Sequence, residues 1–105
     1  MWTLRSSSVD TQPPLAFRIR PGGLKTMGRA VPADFIVDAA LVSRIHCRLA
    51  SDAEGRLEVE DLESTNGTFV NDRRVRRVFL APGDRLRIGR VELLVERDSG
   101  GAGGV

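Results

Sequence analysis

The 105-residue sequence predicts an all-β fold, an antiparallel sandwich of short strands. Three observations predict it. Apolar residues recur at every second position in several segments, the period of a strand with one face on a core and one in water. Turn-forming residues separate those segments about every 8–12 residues. No segment carries three clean turns of helical periodicity, and Val31 to Val42 is the stretch with the weakest pattern of any kind.

Taken in order, residues 1–14 read as a flexible polar lead, with Ser6-Ser7-Ser8 and Pro13-Pro14, and with room for a short strand near Trp2 and Leu4. The domain is expected over residues 15–97. Leu15, Phe17 and Ile19 alternate with Ala16, Arg18 and Arg20, and Pro21-Gly22-Gly23 turns the chain. Leu57 and Val59 alternate with Glu58 and Glu60, and Leu86 and Ile88 with Arg85 and Arg87. Val91, Leu93 and Val95 share one face, while Leu94 breaks the pattern and is expected at an edge or an interface. Asn71-Asp72 suits a two-residue hairpin that needs positive φ. Pro82-Gly83 suits a type II turn, and Gly89-Arg90 a II′ hairpin with Gly first. Residues 98–105 are Gly-rich and read as a tail or linker.

Composition narrows the function classes. The net charge is +2, too small to argue for nucleic acid. Fifteen of the sixteen basic residues are Arg and Lys25 is the single Lys. The planar guanidinium suits phosphate and carboxylate, although compositional bias is the simpler source of the excess. Cys47 is the single Cys and His46 the single His, which excludes an intramolecular disulfide and gives no support to a metal site. No apolar run reaches signal-peptide or membrane-helix length, so a cytoplasmic protein is the expectation. Neither a phosphate-cradling G-x-x-x-x-G-K-[ST] loop, nor a G-x-S-x-G elbow, nor an H-E-x-x-H pair is present. These absences argue against an enzyme, and no cofactor is expected.

Three segments carry the chemistry: Met27-Gly28-Arg29, Ser43-Arg44-Ile45-His46, and Asp61 to Asn71 with Ser64-Thr65-Asn66-Gly67-Thr68 inside it. Singly, each has an ordinary reading. An Arg at a strand end is usually solvated, a Ser before a strand is usually a turn residue, and Asn-Gly marks a tight loop. Asn66-Gly67-Thr68 also matches a glycosylation sequon, read as accidental without a secretory signal. In sequence order, with about fourteen and then some twenty residues between them, the three resemble the forkhead-associated (FHA) family. The resemblance runs from about Leu15 to Glu96 and includes Pro82-Gly83-Asp84 and Ile88-Gly89.

That resemblance implies a sandwich of about eleven strands, similar to FHA and SMAD domains, with binding loops at one end. It implies recognition of phosphothreonine in extended segments of partner proteins. Arg29, Ser43 and Thr65 match the family's phosphate contacts. Asn66 matches the residue that holds the peptide backbone, and Arg44 a second ligand contact. Gly28, His46 and Gly67 match structural positions of the motif, and Asp61 and Glu63 are read as braces of their loop. The loop before Ser43 helps to select the residue three places after the phosphothreonine; uncharged Leu41 there predicts no strong demand for an acidic residue and an aliphatic preference.

The residues fit that chemistry. A phosphothreonine carries about −1.5 to −2 charges and three acceptor oxygens. Arg29 offers a charged donor, Ser43 and Thr65 neutral hydroxyl donors, and Asn66 an amide with both donor and acceptor. Two other readings compete. Arg73, Arg74, Arg76 and Arg77 cluster around an expected hairpin and could face an acidic partner or nucleic acid. The absence of Tyr, a single Trp and the lack of a recognition-helix pattern argue against nucleic acid. The family fold also associates through its sheet faces without phosphate, which makes Leu94 and the Arg cluster candidate surfaces.

Overall fold

The computed structural model of the chain describes residues 1–6 and 14–98. Most of the expected lead, residues 7–13, and the Gly-rich residues 99–105 lie outside the described residues. Among those described there are eleven strands: β1 (Trp2–Ser6), β2 (Ala16–Ile19), β3 (Leu24–Gly28), β4 (Phe35–Ile36), β5 (Cys47–Ser51), β6 (Leu57–Asp61), β7 (Thr68–Val70), β8 (Arg73–Val75), β9 (Arg77–Leu80), β10 (Arg85–Ile88) and β11 (Val91–Arg97). They form two sheets, ordered β2-β1-β11-β10-β7-β8 and β4-β3-β5-β6-β9. The result is the all-β sandwich that the alternation predicts. One pairing departs from the antiparallel expectation: β4, two residues long, lies parallel to β3.

The alternation is satisfied by burial between the sheets. Leu86 and Ile88 of β10 and Val91, Leu93 and Val95 of β11 point inward, opposite Cys47, Leu49, Leu57 and Val59 of the second sheet. Each of these positions is nearly or fully sealed from water, and burying one aliphatic side chain contributes roughly 1.5–3 kcal/mol. The turns take the backbone forms their residues favour. Asn71 and Asp72 both have positive φ, 51° and 68°, in the hairpin that pairs Val70 with Arg73. Gly83 and Gly89 also have positive φ, at 91° and 58°.

Two expectations are sharpened. Trp2–Ser6 is an interior strand of the six-stranded sheet, paired with β11 on one side and β2 on the other. The packed unit therefore reaches back to Trp2 rather than starting at Leu15. Trp2 and Leu4 are buried, and the Trp2 indole N–H donates to the Gly55 carbonyl at 2.9 Å, tying β1 to the opposite sheet. Leu94 is not at an edge: it lies on the outer face of β11, between Arg5 of β1 and Arg85 of β10, and is 41% exposed. Among the described residues no helix is long and apolar enough to cross a membrane.

Register explains where the loops gather. Met27 near the end of β3 pairs with Cys47 at the start of β5, and Cys47 pairs with Asp61 at the end of β6. The segments leaving β3, entering β5 and leaving β6 are thus brought to the same end of one sheet. Those are the three motif segments.

Candidate functional site

Gly28 sets the first wall. A Cβ there would stand 1.9 Å from the Arg44 carbonyl oxygen, so only a hydrogen fits where β3 meets the loop entering β5. The Arg29 amide then donates to the Ser43 carbonyl at 2.9 Å, which places Arg29 beside Ser43. The Arg29 side chain is exposed, and its guanidinium has no ion pair or hydrogen bond among the described residues.

His46 joins the second and third segments. Its ring is fully buried; Nδ1 accepts the Ser43 amide at 3.0 Å and Nε2 lies 2.8 Å from the Gly67 carbonyl oxygen. An acceptor Nδ1 and a carbonyl facing Nε2 require the neutral ring with its proton on Nε2. Both nitrogens are used, so the ring serves the scaffold and holds no free lone pair for a metal. No group of three or more His, Cys, Asp or Glu able to hold a metal occurs among the described residues. Cys47, next in sequence, is equally inert. Burial, helped by the charge of Asp61, pushes its thiol up to about 12, so no thiolate nucleophile is present.

The third segment is braced from within. The Asp61 carboxylate accepts from the Ser64 hydroxyl, the Ser64 amide and the Thr68 hydroxyl. Burial would raise its pKa, but these donors outweigh burial and hold it below the ordinary carboxylate value. Ser64 Oγ in turn accepts the Gly67 amide at 3.0 Å. Gly67 has φ 91°, the left-handed region that favours glycine, and a Cβ there would meet only the movable end of the exposed Arg74 side chain at 2.7 Å.

Two bonds cross between the loops. The Thr65 amide donates to Ser43 Oγ at 3.1 Å, and Asn66 Nδ2 donates to the Leu41 carbonyl at 3.1 Å. An open cleft of about 530 Å³ results, lined by Arg29, Leu41, Val42, Ser43, Arg44, Ile45, Glu63, Thr65 and Asn66. The structure thus brings the expected ligand residues Arg29, Leu41, Ser43, Arg44, Thr65 and Asn66 to one surface, with Gly28, His46 and Gly67 behind it. Because Ser43 Oγ accepts from Thr65, its hydroxyl proton remains free to donate outward. The Thr65 hydroxyl and Asn66 Oδ1 have no partner among the described residues.

Sequence reasoning missed parts of this surface. Glu63 does not brace its loop through its side chain: it lines the cleft, with φ 57° and no hydrogen bond or ion pair among the described residues. Gly89 proves to be packed under the loop before Ser43, where a Cβ would stand 2.8 Å from the Ala40 carbonyl oxygen. Its place in a hairpin turn gave no sign of this contact. The arginine cluster divides. Arg74 lies on β8 in one sheet, whereas Arg77 lies on β9 in the other and pairs with Glu58 at 2.9 Å.

Comparison with known proteins covers the same ground. Residues 25–89 match the FHA domain family. The chain is 39% identical over 74 residues to an ABC transporter ATP-binding/permease protein of Mycobacterium tuberculosis, a match covering 70% of this chain and 8% of that protein. It is 37% identical over 67 residues to the glycogen accumulation regulator GarA of Mycolicibacterium smegmatis, covering 64% of this chain and 42% of the regulator. The chain spans less than half the length of these curated relatives. Among solved structures, the FhaA FHA domain in complex with the intracellular domain of another protein superposes with a TM-score of 0.80 at 32% identity, covering 91% of this chain and all of that one. A domain studied for phosphothreonine-dependent FHA interactions superposes with a TM-score of 0.81 at 32% identity, covering 92% and 96%. Every residue that builds the cleft falls inside the matched span of a sandwich of this shape, and the chain belongs to the FHA domain family.

Proposed function

We propose that the chain is a phosphothreonine-dependent protein-binding module that docks phosphorylated partners in signalling inside the cell, and that it catalyses no reaction. In this reading Arg29, Ser43 and Thr65 hold the phosphate, Asn66 and Arg44 hold the peptide backbone, and Leu41 faces the residue three places after the phosphothreonine.

One observation carries the reading. The unpaired Arg29 guanidinium opens onto the same cleft as Ser43 and Thr65, whose mutual bond leaves both hydroxyls free to donate. A cation and two neutral donors around open space suit a dianionic ester with three acceptor oxygens. Hydrogen bonds to a charged group contribute roughly 1.5–3 kcal/mol each. Three of them approach the about 8 kcal/mol of a micromolar complex. Membership of the family and likeness to a domain studied for phosphothreonine-dependent interactions support the same ligand.

Calorimetric titration with one peptide in three forms tests it. Phosphothreonine peptide is expected to bind, phosphoserine peptide to bind weakly or not at all, and unmodified threonine not at all. Equal affinity for the phosphorylated and plain forms would overturn the reading and turn attention to the sheet face around exposed Leu94.

A further inference from the structure

The cleft that offers Arg29 and Arg44 to an anion also holds a carboxylate. Glu63 is exposed on its wall, and its side chain has no partner among the described residues, the two guanidinium groups of the same cleft included. Asp61, two positions earlier, is consumed by Ser64 and Thr68. Glu63 has no such duty. Its backbone adopts φ 57°, the left-handed region that glycine enters without cost and a residue with a long side chain does not. A glycine would satisfy the turn better, so the side chain at this position is not there for the backbone. The bonds that Ser64 donates to Asp61 brace the turn on both sides of it, and Glu63 lines the cleft from that turn.

We infer that Glu63 selects the charge of the ligand beside its phosphothreonine: the cleft takes a phosphothreonine segment with a Lys or Arg at a flanking position and rejects one with Asp or Glu there. This rests on the phosphothreonine reading and adds a partner class to it. A carboxylate attracts a cation and repels a second anion, and at an exposed site the effect is modest and screened by salt.

A positional-scanning phosphothreonine peptide library, screened at low salt on the parent, Glu63→Gln, Glu63→Lys and Glu63→Gly chains, tests it. The parent is expected to enrich Lys and Arg over Asp and Glu at one flanking position by about five- to tenfold. Glu63→Gln is expected to abolish that enrichment and Glu63→Lys to reverse it. Glu63→Gly, which relieves the left-handed backbone, is expected to keep or raise the melting temperature while losing the selection. Binding that still requires phosphothreonine, but shows no basic enrichment or keeps it in Glu63→Gln and Glu63→Lys, overturns the role of Glu63 alone. Binding of the parent without regard to phosphate overturns the phosphothreonine reading instead.

Discussion

His46 Nε2 stands 2.8 Å from the carbonyl oxygen of Gly67, twenty-one residues along the chain, while its Nδ1 holds the Ser43 amide. One buried ring therefore fixes the spacing between the loop carrying Ser43 and the loop carrying Thr65. His46→Ala would strand a half-buried amide and a buried carbonyl. Each unsatisfied group costs about 1–3 kcal/mol, so a loss of roughly 2–5 kcal/mol is expected by chemical denaturation. Phosphopeptide affinity should fall in the same variant, although His46 does not line the cleft. Unchanged stability with lost binding would instead make His46 a ligand contact.

Two glycines separate steric need from backbone need. Alanine at Gly28 would drive its Cβ into the Arg44 carbonyl, and backbone on both sides must move. Gly28→Ala is expected to abolish binding and to unfold or severely destabilise the chain. Gly83 has φ 91° with nothing near a would-be Cβ. Gly83→Ala should cost only the strain of the left-handed turn, about 1–2 kcal/mol, with affinity unchanged. Circular dichroism melts of the two variants compare these outcomes directly.

How much was legible follows from locality. The strands through Leu57, Leu86 and Val91 are written in period two, and their turns in Gly, Pro and Asn, because each feature depends on neighbours in sequence. β1 was only half visible: Trp2 and Leu4 are a short apolar pair whose partners, Val95 and Arg97, lie at the other end of the domain. The stretch from Val31 to Val42 shows no period because its only strand is two residues long. Arg29, Ser43, Thr65 and Asn66 could be named as a motif, yet their meeting depends on the row Met27–Cys47–Asp61 across three strands. Glu63 was misread because it reaches the cleft wall from a turn with φ 57°, which no residue type announces at a glutamate.

Arg29→Ala should weaken phosphothreonine binding by about 2–5 kcal/mol, the range for truncating one partner of a hydrogen-bonded charge pair. Stability should change by less than about 0.5 kcal/mol, because the side chain is exposed and makes no contact that the fold uses. Titration calorimetry and a denaturation curve read the two quantities separately. Parent-like affinity removes Arg29 from the site.

Leu41 is 47% exposed at φ 69°, and its carbonyl accepts from Asn66 Nδ2. Its backbone thus supports Asn66 while its uncharged side chain borders the cleft. A peptide array varying the third residue after the phosphothreonine should show an aliphatic preference and no strong selection for Asp. Leu41→Lys should move that preference toward acidic residues by several-fold, since a cation would then face the position. Strong selection for Asp in the parent excludes this role for Leu41.

Binding and folding should respond to acid in different ranges. The ligand's phosphate takes up its second proton near pH 6. Recognition of the dianion therefore predicts an affinity loss of about tenfold between pH 7 and pH 5. Asp61 sets the acid limit of the loop scaffold: although burial opposes it, bonds from Ser64 and Thr68 lower its pKa from 3.8 in the folded chain. A carboxyl lowered on folding stabilises the folded state above its unfolded value, and that contribution is lost as pH falls through the folded value. The Asp61 contribution is thus intact at pH 5 and disappears only below about pH 4. Melting temperatures measured alongside affinities should hold their Asp61-dependent part from pH 7 to pH 5 while binding declines. The difference in melting temperature between the parent and Asp61→Asn should shrink only in the lower range. A flat affinity down to pH 5 contradicts dianion recognition, and a parent–Asp61→Asn difference that closes by pH 5 contradicts the lowered carboxyl.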